Sequence, residues 1–369
     1  MPVPEHLTND QPVVEAPPAT HPSRRAVTYS VSMVVAAIGL AALSVLPTTY
    51  VVRAPGPTFD TLGVSGERPV ISVAGTETFP TTGQLRLTTV SGSGSPDNRV
   101  PLLRVVKAWV DPDEAVYPLE AIYPEGQTQD QIAAVTTAQM VSSQEAATVA
   151  ALVKLGYEVP ATMTIAEAVD GSGAAGIVEP GDVVTTLEGT DVVSYQQLVG
   201  MLDEIEAGTT VTLGVDRAGT EVDLEITTTA HEADGSAFLG VLLTTDFDFP
   251  VDVDMQLQDV GGSSAGMMFA LGLMDKLTPA DEAAGEVVAG TGTMSITGEV
   301  GPIGGIQFKL DGAVRDGARW FLAPVENCDE VVGNVPDGLG VVAVATLDEA
   351  YAALEAIGSG DTAGLPTCG

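Results

Sequence analysis

A serine and a lysine pose the chemical question in this sequence. The run Asp259-Val260-Gly261-Gly262-Ser263-Ser264-Ala265-Gly266 leads into the apolar stretch Met267–Met274. A serine placed where a glycine-rich turn enters a helix meets free backbone N–H groups and the positive end of the helix dipole. Both stabilise an oxyanion forming beside the hydroxyl. The same arrangement also serves as the plain N-cap of a core helix, so this run alone does not make an enzyme. A serine hydroxyl is a weak nucleophile and needs a base. Bases are scarce: the chain holds three histidines (His6, His21, His231) and four lysines (Lys107, Lys154, Lys276, Lys309). No histidine is near the serine in sequence, and His231 sits in a Gly- and Asp-rich loop. Lys309 lies between Phe308 and Leu310 in the run Gly298–Leu310, which opens a second helical segment. Burial in such a segment lowers a lysine's pKa toward neutrality and lets it accept a proton.

Together the two runs resemble the proteolytic domain of the Lon family, which uses a Ser–Lys dyad. The family's Gly-Pro-Ser-Ala-Gly turn corresponds to Gly262-Ser263-Ser264-Ala265-Gly266, with Ser263 in place of the proline. Ser264, directly before Ala-Gly, is the nucleophile this implies. The family's Pro-Ile-Gly-Gly-x-x-x-Lys run is complete at Pro302–Lys309, which makes Lys309 the base. The Thr-Gly pair falls at Thr291-Gly292, and the resemblance implies that Thr291 orients Lys309. Backbone N–H groups around Ser263–Ala265 are the implied oxyanion site. Phe321–Asn327 is similar to the family strand that ends in Pro-x-Glu-Asn. The likeness covers roughly residues 245–350.

These residues need elements to position them. Residues 50–125 alternate short apolar runs with Gly, Pro and Thr and read as strands, among them Val70–Val73 and Gln84–Val90, with a Ser- and Gly-rich loop at Ser91–Asn98. Residues 127–155 lack Gly and Pro until the end and read as one long helix, or two joined end to end. Residues 156–230 contain Ala174–Leu202 (AAGIVEPGDVVTTLEGTDVVSYQQLVGML), a helix capped by Ser194, and a final hairpin turning at Ala218-Gly219. This stretch resembles a PDZ domain, which takes an extended peptide as an added strand beside its helix. Leu198, Val199 and Met201 are candidates for the groove wall, although for any one of them a place in the core is the stronger expectation. An alternating strand at Val251–Leu257 precedes the serine turn.

At the other end, Arg24 and Arg25 precede 21 uncharged residues, Ala26 to Leu46, closed by Pro47. That length spans roughly 30 Å of hydrocarbon. The arginines put the N-terminus in the cytoplasm and the rest of the chain outside. A cleaved signal peptide is the alternative; Ala41–Ser44 offers only a weak cleavage site. In an oxidising compartment Cys328 and Cys368 can bridge and hold down the C-terminal tail, although two free thiols remain open. Two cysteines exclude a four-cysteine zinc site, and no His-Glu-x-x-His motif occurs, so neither a metal nor another cofactor is expected. With 14 Lys plus Arg against 50 Asp plus Glu, the net charge of -36 argues against a nucleic-acid partner. A chain that is 45% hydrophobic has ample core.

The expected fold class is α+β: an N-terminal transmembrane helix, a β-rich PDZ domain with a flanking helix, and a Lon-type α/β proteolytic domain. The expected boundaries are 1–25 for a disordered cytoplasmic tail, 26–47 for the membrane helix and 48–126 for strands that complete the protease domain. The long helix takes 127–155, the PDZ domain 156–230 and the proteolytic domain 231–369. No Gly-x-x-x-x-Gly-Lys-[Ser/Thr] loop is present. The resemblance therefore implies an ATP-independent, membrane-anchored serine endopeptidase that takes polypeptide substrates, with its PDZ domain presenting or gating them. Lon-type domains often form rings, but no residue here decides whether this chain is a homo-oligomer. The rival reading from another class is a non-catalytic PDZ scaffold for envelope proteins. A C-terminal processing protease also pairs a PDZ domain with Ser and Lys, but the Pro302–Lys309 run does not suit it. A trypsin-like PDZ protease would lack its histidine.

Overall fold

A computed structural model describes residues 24–123, 128–231, 235–257 and 260–369. Almost all of the expected N-terminal tail, residues 1–23, lies outside the described residues. Helix α1 (Arg24–Val45) has 22 residues, about 33 Å at the α-helical rise. Its Val27–Val45 stretch has a mean hydropathy of 1.8 and no buried part. It is long and apolar enough to cross a bilayer.

Two sheets follow. The first begins with β1 (Tyr50–Asp60), continues past the short strand β2 (Ile71–Ala74), and takes in β3 (Gln84–Ser93). β3 runs into the stretch expected as a loop, because β1 is long enough to pair Ala54, Arg53 and Val52 with Ser91, Gly92 and Ser93. Helix α2 (Leu102–Val110) and strand β4 (Ala115–Pro118) come next, β4 pairing with the start of β1. Helix α3 (Gln129–Lys154) is one uninterrupted helix. Thr128 caps it, and Gln131 answers back to the Thr128 N–H in a capping box.

The second sheet is antiparallel. It contains β5 (Ala161–Ala168), β6 (Val183–Leu187), β7 (Thr210–Arg217), β8 (Thr220–Thr227) and β9 (Val241–Phe247), in the order β8-β7-β6-β5-β9. Helix α4 (Tyr195–Asp203) covers it, with the Ser194 hydroxyl accepting from the Gln197 N–H. The fold is PDZ-like, with its own core that includes Ile165, Leu187, Leu198 and Leu213. Leu198 is buried in that core and Met201 packs against it, so neither is free groove wall; Val199 is half-buried. β9 pairs with β5 from Val241↔Ala168 to Phe247↔Ala161, so the sheet extends past residue 230, where the sequence put its end. The reason is the alternation of β9: Val241, Leu243, Thr245 and Phe247 turn inward while the residues between them are exposed.

After β10 (Asp252–Met255), which pairs with β2, the chain returns to the first sheet. Helix α5 (Gly266–Leu277) leads to β11 (Val287–Gly290), then to the short hairpin strands β12 (Thr293–Met294) and β13 (Val300–Gly301). Helix α6 (Ile306–Arg315), β14 (Trp320–Pro324), β15 (Gly340–Val344) and helix α7 (Leu347–Ser359) complete the chain. The first sheet runs β15-β14-β11-β3-β1-β4, parallel on the C-terminal side and antiparallel among the N-terminal strands. Chain from both sides of the PDZ-like unit thus shares one sheet. Alternate residues serve opposite faces: Val288, Leu322 and Val342 pack into the larger core with α3, α5 and α7, while Ala289, Phe321 and Val341 pack against α6. A disulfide joins Cys328 to Cys368 and fastens the tail beside β15, where the Ala343 N–H also donates to the Pro366 carbonyl at 3.0 Å.

Candidate active site

Ser264 sits in the turn just before α5, with Ala265 as the helix N-cap and Gly262 at φ +93° in the turn. Gly266 must be glycine for a steric reason. A Cβ there would come within 2.8–2.9 Å of Met294 and the Ser143 hydroxyl. The turn is therefore pressed onto β12 and onto α3.

Two carbonyls hold the turn from behind. Ser143 Oγ donates to the Ser263 carbonyl at 3.0 Å. The Ser264 carbonyl accepts from Thr291 Oγ1 at 2.9 Å and from the Gly292 N–H at 3.0 Å. A trans peptide points its N–H opposite its C=O. The Ser264 N–H therefore points away from Ser143, and the Ala265 N–H away from the buried Thr291. They stand at the start of α5, where backbone donors and the helix dipole favour negative charge.

Lys309 comes from the first turn and a half of α6, on the far side of the sheet. The entry to α6 is tight: Gly305 holds its N-cap position at φ +74°. Lys309 is only 2% exposed. Its Nζ lies 2.9 Å from Ser264 Oγ, 2.8 Å from Thr291 Oγ1 and 3.1 Å from the Thr88 carbonyl. Among the described residues no carboxylate forms an ion pair with it. Burial alone pushes its pKa down to about 7.

The hydrogen-bond inventory follows from these contacts. Thr291 spends its hydrogen on the Ser264 carbonyl, so its oxygen accepts from Lys309. The Thr88 carbonyl can only accept. A neutral amine that commits both hydrogens to these two oxygens turns its lone pair to Ser264 Oγ. The group lines a cleft of about 1120 Å³ whose wall also includes Arg53, Thr88, Tyr123, Ser263 and Pro302.

Each site residue expected from the sequence thus has a definite place. Ser264, Lys309 and Thr291 meet, Ser263 and Ala265 flank Ser264 in its turn, and Cys328 and Cys368 lie apart from the cleft as a disulfide. His231 does not line the cleft. Residue types do not point to Thr88 or Ser143. Thr88 contributes a backbone carbonyl, which carries no residue-type signal. Ser143 was hidden in an Ala- and Val-rich helix.

Residues 257–355 match the family described as the Lon protease (S16) C-terminal proteolytic domain. The C-terminal part of the chain is therefore a Lon-type domain. Among curated relatives it is 34% identical over 107 residues to Lon protease 2 of Bacillus subtilis, covering 27% of this chain and 18% of that protein. It is 41% identical over 91 residues to the Lon protease of Haemophilus influenzae, covering 24% of this chain and 11% of that protein. The chain spans less than a fifth of the length of either relative. The PDZ domain of the SdrC-like protein from Listeria innocua is a structural neighbour at 23% identity, over 22% of this chain and 92% of that one, with a TM-score of 0.22.

Proposed function

We propose that this chain is a membrane-anchored, ATP-independent serine endopeptidase with Ser264 as nucleophile and Lys309 as general base. The observation that carries the reading is the 2.9 Å approach of a buried lysine amine to a serine hydroxyl at a helix N-terminus. Neutral Lys309 takes the Ser264 proton as Oγ attacks the scissile carbonyl carbon. The backbone N–H groups of Ser264 and Ala265 stabilise the oxyanion. Lys309 then gives its proton to the leaving amine, and an acyl-enzyme remains. Water, deprotonated by Lys309, attacks the ester and frees Ser264. Thr291 and the Thr88 carbonyl are positioning groups that aim the lone pair.

In this reading α1 crosses the membrane with Arg24 and Arg25 on the cytoplasmic side, and the cleft lies outside. The sequence holds no phosphate-binding loop, so the chain supplies no ATP-driven unfolding of its own. Its substrates are polypeptide segments already extended. The outer edge of β9 and helix α4 offer a place for such a segment to add as a strand.

The test is cleavage of unfolded casein by the full chain in detergent without ATP, beside Ser264→Ala. Cleavage by wild type and none by a folded S264A protein is the expected outcome. Equal inertness of both, with a PDZ-binding peptide present, favours the scaffold reading instead.

A further inference from the structure

We propose that helix α2 lies in the membrane–water interface, apolar face toward the lipid, and seats the catalytic cleft against the bilayer. The proposal rests on α1 being a membrane anchor.

The observation is an inverted helix. α2 buries Val105 and Ala108 against the protein, while Leu103, Val106, Trp109 and Val110 face outward. Trp109 is 62% exposed and Val110 79%. Positions 103, 106 and 110 recur at helical spacing, so they form one stripe, and Trp109 borders it. Single exposed apolar residues mean little, but a continuous stripe ending in a tryptophan marks a surface that something covers.

Continuity with the membrane helix identifies the cover. α1 ends at Val45, and the segments that follow it and precede α2 are bonded together. The Leu102 N–H donates to the Leu46 carbonyl at 2.9 Å, the Thr48 N–H donates to the Val100 carbonyl at 2.9 Å, and Pro47 bridges to Pro101. The first turn of α2 is thus tied to the last apolar residue of the span. If α1 is inserted, α2 starts at the depth where hydrocarbon gives way to headgroups. Tyr50 stands edge-on to Trp109, ring centroids 6.5 Å apart, as an aromatic pair at that depth.

Charge permits it. Arg99, Arg104 and Lys107 offset three of the four carboxylates at Asp97, Asp111, Asp113 and Glu114, so this segment is close to neutral in a chain of net charge -36. Arg104 pairs with Glu114, and Lys107 is exposed on the helix. A long basic side chain there can reach lipid phosphates. The cleft wall includes Val51 and Arg53, the residues just after Tyr50. Its near edge is then within roughly 10 Å of the interface along β1. Chain segments emerging from the same membrane are the substrates such a cleft meets first.

The test uses the full chain in vesicles of phosphatidylcholine and phosphatidylglycerol, with Trp109 emission taken as wild type minus Trp109→Phe. Lipids brominated near their carbonyls should quench that component about twofold or more, and lipids brominated near the chain ends less. The L103Q/V106Q/V110Q protein should lose most of the quenching while keeping its cleavage of soluble peptides. A chain that floats with the vesicles but shows Trp109 unquenched by either lipid overturns the proposal and leaves the anchor standing. Trp109 shielded from acrylamide yet unquenched by lipid overturns it in favour of a second protein copy. A chain that does not float at all removes the anchor, and this proposal with it.

Discussion

Helix α5 carries a buried ionisable site at each end, and the two are built on opposite principles. At its N-terminus, Lys309 has an oxygen for every N–H, and only its lone pair is left to act. At its C-terminus, Asp275 and Glu282 are buried side by side, and each keeps one oxygen, Oδ2 and Oε2, without a partner among the described residues. Glu282 Oε1 accepts from the hydroxyls of Thr278 and Tyr351. Asp275 Oδ1 accepts the Glu282 N–H at 2.9 Å. Burial, and then the neighbouring Glu282, push the Asp275 pKa well above the carboxylate range. Asp275 therefore keeps its proton at neutral pH. Lys309 and Asp275 each avoid a buried charge by changing protonation. The lysine does so by giving up a proton and becoming a base, the aspartate by holding one and becoming inert.

The largest expected effect separates the two ends by activity. Lys309→Met should reduce kcat/KM by about 10³-fold or more in a peptide-cleavage assay, because Ser264 loses its base. Asp275→Asn, isosteric with the protonated acid, should stay close to wild type. A comparable loss from D275N would dissolve the contrast.

The pH profile comes next. Activity needs neutral Lys309, whose pKa is lowered to about 7. Single-turnover cleavage should rise about tenfold per pH unit below that value and level off above it. A profile flat from pH 5 to pH 9, roughly the span over which a lysine base near neutrality must titrate, would remove Lys309 as the base.

A smaller effect sharpens the role of Thr291. Thr291→Val leaves one lysine hydrogen without an acceptor and frees the Ser264 carbonyl from one donor. A loss of about 10–100-fold in kcat with little change in KM is expected, because the amine is aimed less well. Thr291→Ser should restore most of it. If serine fails where valine fails, the hydroxyl alone does not account for the role of Thr291.

The last prediction concerns stability, where the two ends should slope in opposite directions. Between pH 7 and 10 the unfolded state binds the Lys309 proton and the folded state does not. Wild type should therefore gain stability relative to K309M by up to about 1.4 kcal/mol per pH unit as pH rises. For Asp275 the folded state binds the extra proton. Wild type should lose stability relative to D275N as pH rises from about 4, at up to the same rate. Urea unfolding of the pairs at several pH values measures both slopes. Slopes of the same sign would show that one of the two protonation states is misassigned.

Much of the site could be read before folding, because its pieces are local. Gly262-Ser263-Ser264-Ala265-Gly266 is a turn entering a helix on residue type alone, and Pro302–Lys309 is a turn entering another. The PDZ-like unit was legible for the same reason up to Thr227, since each hairpin is contiguous. β9 is not legible in this way, because it joins the sheet after an intervening loop that contiguity does not reveal. Ser and Gly are poor strand formers, so residue types end β3 at Val90, and only its register against β1 carries it to Ser93.

Residue types and spacing alone determined that the chain has a glycine-rich serine turn, a lysine run, an apolar helix of spanning length and a cysteine pair. These depend on neighbours in the chain, and short-range sterics and periodicity set them. Tertiary structure alone decided that Lys309 crosses the sheet to Ser264, that the Thr88 carbonyl 221 positions away takes one of its hydrogens, and that Ser143 steadies the turn from α3. The physical reason is register. Parallel pairing of β3 with β11 sets Leu87 opposite Gly290, placing the next residues of both strands, Thr88 and Thr291, beside the buried amine. A backbone carbonyl does this with no side chain to announce it.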